Sequence, residues 1–333
     1  MWIIARLLKH YYINMKNFDK EFKSIKYIIK NSKKILLFVH SRPDSDTVGA
    51  NLALYYHIKE LGKEVDVACL DSTPEYLKEI VSYEFKHPDS LDLKSYDSII
   101  AADSVERGFE KIKNKFFKNQ AIILLDHHPD ISMKGDVEII EPKYSSASEI
   151  VFDYFTFFEI KINSKIATLL LMGILADTGN LQHSNTNPKV MHTAAELLNR
   201  GALVSKIFKT ISAGNKFATL KIWGRALEKA KINSKTGMIT TVVTKEDLKK
   251  CEASYDDTAE ISSILNTVPE TSFSLVLSER EGGIIKGSLR SEKYKGVDVS
   301  KIAHRFGGGG HKLASGFEVK GRIMEVEDGW KIV

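Results

Sequence analysis

Three short apolar runs in this chain end in the same kind of loop. ILLFV (35–39) leads into HSRPDSD, SIIAAD (98–103) closes on Asp103, and AIILL (121–125) is followed by Asp126, His127 and His128. An apolar run without polar alternation is what a strand buried on both faces requires. Between the first two runs, TVGANLALYYHIKEL (47–61) has the apolar spacing of a helix, and EVDVACL (64–70) reads as a further strand. Strands alternating with helices predict a doubly wound, mostly parallel α/β sheet. Ligands bind such sheets beyond the carboxyl ends of the strands. His40, Asp44, Asp46, Asp103, Asp126, His127 and His128 are therefore expected along one rim.

Helical patterns follow at 145–158, 165–177 and 188–200, the last after the start signal Asn187-Pro188. MITTVV (238–243), TSFSLVLS (271–278) and GIIKGSLR (283–290) read as strands, with helices near 255–266 and 298–305, which makes a second, smaller α/β unit. The 333 residues suit two domains. The division expected is an extension at 1–20, a first domain at 21–202, a helical connector at 203–235 and a second domain at 236–333. The opening MWIIARLLKHYYIN does not share the pattern that follows, so Met15 is an alternative start to Met1.

Charge is unevenly spread. The whole chain is +5, yet residues 31–200 hold 19 basic and 25 acidic side chains, a net of −6. The basic excess sits in residues 1–30 and in 201–250, where Lys206, Lys209, Lys216, Lys221, Arg225 and Lys229 are interleaved with Phe208, Phe217 and Trp223. At helical spacing those aromatics are expected in a core and the lysines on a solvated face. Two cysteines cannot build a disulfide framework or a Cys-based zinc site, and no secretory signal or membrane span is present, so a cytoplasmic protein is expected.

His40-x3-Asp44-x-Asp46 offers three ligand-type side chains in a loop turned by Pro43, although an Asp after a strand also caps the next helix. Asp103, arriving centrally on the rim, has two oxygens with which to bridge two ions about 3.5–4 Å apart. Adjacent His127 and His128 point to different sides, so one can bind metal while the other faces substrate, and Asp126 is free to accept the second N–H of a ligating imidazole. Asp177 ends the apolar stretch LLLMGILAD, where a carboxylate is disfavoured by burial and by the helix dipole unless a cation sits nearby. Four Asp and two His, without Cys, suit two Mn²⁺ or Mg²⁺ ions better than structural zinc. In FGGGGHKLASGF (306–317), Gly307, Gly308, Gly309 and Gly310 allow close backbone approach, and loop amides before a helix start would suit a phosphate, with His311 and Lys312 adding donors. Arg290, ending GIIKGSLR, could complete an anion clamp.

HSRPDSDTVGA, AADSVER, LLDHHPD and ILADTGN resemble the four motifs of the DHH phosphoesterases, and GSLRS with FGGGGHKLASGF resembles the DHHA1 domain that follows them. The layout is similar to the compact bacterial nano-RNase and pAp-phosphatase branch. The resemblance implies one manganese on His40, Asp44 and Asp103, and a second on Asp46, Asp103, His127 and Asp177. His128 would act with Asp103 as a catalytic residue facing the scissile phosphate. Arg107, Arg290, His311 and the glycines would bind a short RNA or small nucleotide in a cleft between the domains. Two departures stand out: Arg42 and Ser45 replace the usual Asn and Gly of the first motif, and Leu181-Gln182-His183 replaces an aromatic-Arg-aromatic segment.

The expected reaction is in-line attack of activated water on phosphorus, giving 5′-mononucleotides from short RNA, or AMP from pAp or pApA. An exopolyphosphatase or pyrophosphatase is the alternative within the class. A non-catalytic nucleic-acid-binding module is the alternative outside it. No membrane partner is expected, and a homodimer is compatible with this reading.

Overall fold

The computed structural model describes residues 17–129, 131–213, 217–326 and 329–333. The choice between Met1 and Met15, and most of the 1–20 extension, lie outside them. The chain divides into two compact units between Ser212 and Ala213.

The first unit holds helix α1 (Asp19–Asn31) and a five-stranded parallel sheet of β1 (Lys34–Phe38), β2 (Glu64–Ala68), β3 (Ser98–Ala102), β4 (Ala121–Asp126) and β5 (Val137–Ile140). The strand order is β2-β1-β3-β4-β5, so the order reverses between β1 and β3. That reversal opens a crevice beyond their carboxyl ends, where ligands bind in sheets of this type. The apolar runs are continuous because both faces are covered. Ile35, Leu37, Ile100, Ile123 and Leu125 enter one core with the helices, while Leu36, Phe38, Ile99, Ala101 and Leu124 enter another with Phe109 and Ile112. The short edge strand β5 escaped the sequence reading, since four residues after a Gly-Asp turn carry too little pattern.

Helix α2 (Ser45–Glu60) is buried along most of its length because it packs on the sheet and against α4 (Ser164–Asp177). Glycines set that closeness. A Cβ on Gly49 would come within 2.4 Å of the Leu169 carbonyl oxygen, and one on Gly173 within 2.1 Å of Ser148 Oγ and 2.6 Å of Asp46 Oδ1. Helix α3 (Ala147–Phe157) starts at Ser146, whose hydroxyl accepts from the Glu149 amide, and α5 (Pro188–Asn199) starts at Asn187. Among the described residues, no helix is long and apolar enough to cross a membrane.

The basic stretch is two helices with different allegiances. Helix α6 (Val204–Ala213) belongs mainly to the first unit, and α7 (Phe217–Glu228) packs in the second, against β7 (Met238–Val243). Trp223 packs beside that core and donates Nε1–H to the Asp257 carbonyl at 2.8 Å. Phe208 and Phe217 are exposed, at 42% and 73%, contrary to the core placement expected of them. Among the basic side chains, Arg225 and Lys229 both pair with Asp247.

The second unit is a mixed six-stranded sheet in the order β10-β11-β9-β8-β7-β6, formed with β6 (Lys231–Asn233), β8 (Phe273–Arg280), β9 (Ile284–Arg290), β10 (Gly309–His311) and β11 (Ala314–Lys320). A separate hairpin of β12 (Ile323–Val326) and β13 (Gly329–Ile332) follows. The glycine run requires a correction. It does not precede a helix: it leaves α8 (Val299–His304) and enters the β10–β11 hairpin. Residues 314–320 alternate across the sheet, as a strand should. The glycines serve close packing, because a Cβ on Gly308 would lie 2.1 Å from the Gly316 carbonyl oxygen.

Candidate metal centre

His40, completely buried, leaves β1 with its ring fixed. Nδ1–H donates to the Ser41 carbonyl at 2.8 Å, which turns Nε2 toward Asp44 Oδ2 at 3.1 Å and Asp103 Oδ2 at 3.5 Å. Asp44 divides its two oxygens between separate tasks. Its Oδ1 accepts from the Asp46 and Thr47 amides and caps α2, while Oδ2 faces His40 and Arg107 Nη1, the latter at 3.3 Å. Arg107 reaches the rim from a single π-helical turn, Val105–Phe109.

Asp103 stands just past β3 in the left-handed backbone region, φ 55°, with its amide bonded to the Leu125 carbonyl. Its two oxygens face opposite ways along the rim. Oδ2 looks at His40, and Oδ1 lies 3.6 Å from His127 Nε2 and 3.5 Å from His128 Nδ1. His127 Nε2 is also 3.0 Å from Asp177 Oδ2 and 4.0 Å from Asp46 Oδ2. The carboxylate of Asp126 is bonded to the other histidine than expected: Oδ1 takes the backbone N–H of His128 at 3.0 Å and its Nδ1 at 2.8 Å, so it orients His128 and not His127.

Asp46 is completely buried at the start of another helix. Its Oδ2 accepts from the Ala147 amide at 2.7 Å and its Oδ1 from the Ser148 amide at 2.9 Å, at the positive end of α3. Sequence reasoning missed this clamp, and missed Gly173, which makes room for it. The Ser146-x-x-Glu149 spacing signals a helix start, but nothing local shows that Asp46, some hundred residues earlier, docks on it.

Three groups of donors result: His40, Asp44 and Asp103; Asp46, His127 and Asp177; and Asp103, His127 and His128. Within each group the donor atoms lie within 4.8 Å of one another. Their fit to divalent cations rests on atoms left without partners. His40 Nε2, Asp103 Oδ1 and His127 Nε2 are buried and make no hydrogen bond, although buried polar atoms are nearly always paired. Electrostatics shows the same need for a cation. Burial, then Asp177 and Asp103, push the Asp46 carboxyl well above its usual range, and burial also raises Asp177. Burial alone would lower both imidazoles, but the facing carboxylates of Asp103 and Asp44 lift His40 to about 9, and those of Asp103 and Asp177 lift His127 to about 11. These oxygen and imidazole donors could hold hard or borderline divalent ions.

In the second unit, Arg290, Ala314 and His311 form one row across three neighbouring strands, since Ala314 pairs with both of the others. Cross-strand partners share a face, so Arg290 and His311 lie on the same side of the sheet, two strands or about 10 Å apart. Gly307 and Gly310 adopt positive φ, 73° and 131°.

A histidine–aspartate centre at the reversal point of a parallel sheet, followed by a separate mixed sheet, defines a two-unit α/β protein whose donor clusters could hold metal ions. The chain carries DHH and DHHA1 domains: residues 34–174 match the DHH family N-terminal domain and residues 235–328 match the DHHA1 domain. Among its relatives, the bifunctional oligoribonuclease and PAP phosphatase NrnA of Thermus thermophilus is 29% identical over 293 residues, covering 87% of this chain and 86% of its own. The Bacillus subtilis protein of the same name is 25% identical over 291 residues, with 86% and 89% covered. The solved structure of an exopolyphosphatase-related protein from Bacteroides fragilis shares the fold, with a TM-score of 0.82 at 24% identity, over 91% of this chain and 92% of that one.

Proposed function

We propose that this protein is a phosphoesterase that hydrolyses short oligoribonucleotides to 5′-mononucleotides and pAp or pApA to AMP, with two divalent ions, manganese foremost, as cofactors. The observation that carries the reading is the placement of Asp103, one oxygen toward His40 and the other toward His127, with buried donor atoms left unpaired around it. His40, Asp44 and Asp103 would hold one ion, and Asp46, Asp103, His127 and Asp177 the other. When bound, such a pair supplies activated water near neutral pH and neutralises charge on the phosphoryl oxygens.

The remaining work falls to side chains. The Asp126 carboxylate holds the Nδ1–H of His128, which leaves Nε2 of a 38%-exposed imidazole available to a substrate phosphoryl oxygen. Arg107, held over Asp44, offers its other guanidinium donors to the same substrate. Arg290, His311 and the glycines Gly307, Gly308, Gly309 and Gly310 would bind the nucleotide from the second unit. The two cysteines, Cys69 and Cys251, are free and buried, which suits the reducing cytoplasm we assign.

Replacing Asp103 with Asn tests the reading, because the amide keeps the backbone conformation and removes the charge. Hydrolysis of a short oligoribonucleotide with Mn²⁺ should fall about a thousandfold, on the scale of losing a central electrostatic group. Activity surviving within tenfold would sink the two-ion account. Parallel assays with pAp, pApA and polyphosphate establish the substrate range.

A further inference from the structure

A second buried charged cluster reaches the centre through the main chain of residues 145–148. Lys189 is 2% exposed, with Nζ 2.7 Å from Glu149 Oε1, 2.9 Å from Asp153 Oδ2 and 4.1 Å above the Tyr144 ring. Glu149, 1% exposed, turns its other oxygen to the Ser145 amide at 2.8 Å and the Ser145 hydroxyl at 2.9 Å. The Ser145 carbonyl accepts from Asn185 Nδ2 at 3.3 Å, and the same amide group donates to the Asp177 carbonyl at 3.1 Å. Two and three residues after Ser145 come the Ala147 and Ser148 amides that hold both oxygens of Asp46. Lys189 is itself anchored at the start of α5, where Asn187 Oδ1 accepts from the Lys189 and Val190 amides.

A buried ion pair is a poor way to gain stability, because desolvation offsets the attraction and well-packed apolar side chains often do as well. Apolar replacements could fill this space, but they could not receive the Ser145 amide and hydroxyl. We infer that Lys189 and Glu149 are positioning residues for one half of the metal centre: their ion pair fixes the 145–148 turn, which aims Asp46 directly and steadies Asp177 through Asn185. Among the described residues, neither Lys189 nor Glu149 makes a hydrogen bond to His40 or Asp44. The inference rests on Asp46, His127 and Asp177 acting as ligands.

Calorimetric titration of the full chain with Mn²⁺ separates the two ions. Asp177→Asn serves as the reference and should weaken only one of the two binding events. Lys189→Met should weaken that same event by about 10–100-fold, the usual effect of losing a group that orients a ligand, and leave the other within threefold. Because the single change strands Glu149, the double variant Lys189→Met/Glu149→Leu is measured beside it and should show the same selective loss in protein that still unfolds cooperatively. Wild-type affinity for both ions in the double variant, or equal weakening of both, overturns the inference. If Asp177→Asn leaves both events untouched, it is the ligand reading that fails.

Discussion

The two units keep their chemistry in different states. In the first, His40, Asp46 and Asp103 are 2% exposed or less; a carbonyl holds the His40 ring, a helix start holds the Asp46 carboxylate, and Asp103 is fixed by its own amide donating to the Leu125 carbonyl. In the second, His311 is exposed on a three-residue strand at the edge of the sheet, paired on one side only. The difference teaches which half is finished before substrate arrives. Rigid burial preorganises the donors for cations, as electrostatic catalysis requires. His311, exposed at the edge, keeps freedom to adapt to a ligand, and ordering it would draw on binding energy.

Changes in the first unit should therefore damage ion binding, and changes in the second should damage substrate affinity or local folding alone. The largest effect is expected from Gly173→Ala, whose Cβ would press on Ser148 Oγ and Asp46 Oδ1. Overpacking there should cost about 3 kcal/mol and lower Mn²⁺ affinity at least a hundredfold by calorimetry. Unchanged affinity would mean that the centre is softer than its burial implies.

Next comes acid sensitivity. His57, on α2, packs against Phe155 with ring centroids 5.2 Å apart, and burial, helped by Lys26, pushes its imidazole down to about 4. The folded value is below the ordinary ~6.5, so the unfolded chain takes up the proton first. Stability is complete above about 6.5 and is lost as pH falls toward 4, by about 3 kcal/mol at most. In urea titrations with chelator present, His57→Phe should lose less stability between pH 7 and 4.5 than the wild type. An identical decline in both proteins assigns the acid sensitivity elsewhere.

In the second unit, Gly308→Ala would drive its Cβ into the Gly316 carbonyl and Phe317, costing about 2 kcal/mol while Mn²⁺ affinity stays at the wild-type value. A fall in ion affinity there would break the division of labour. The smallest effect is expected from His311→Ala: KM for a short oligoribonucleotide should rise about tenfold, worth about 1.4 kcal/mol, with metal content and melting temperature unaltered. A large drop in kcat with KM unchanged would move His311 from binding to chemistry.

The rim was legible in the sequence because parallel strands buried on both faces write themselves as unbroken apolar runs, and their ends are marked by Asp and His. What could not be read depends on contacts far apart in the chain. Nothing near Asp46 tells of the Ala147 and Ser148 amides about a hundred residues on. The glycine run misled for a local reason: Leu313-Ala314 suits a helix as well as a strand, and only pairing with Gly309–His311 and Ile284–Arg290 decides between them. Asp126 shows a third kind of blindness, since two adjacent histidines compete for one carboxylate and only the turn after β4 settles which receives it.

The left-handed backbone of Asp103 limits how this position can evolve. That conformation costs most side chains about 1–2 kcal/mol and is tolerated chiefly by glycine, asparagine and aspartate. Asparagine there would lack the charge, glycine would lack the side chain, and glutamate would strain the main chain while moving its carboxylate one carbon farther out. The main chain and the proposed ion site impose two separate filters on one codon, and aspartate is the residue that passes both.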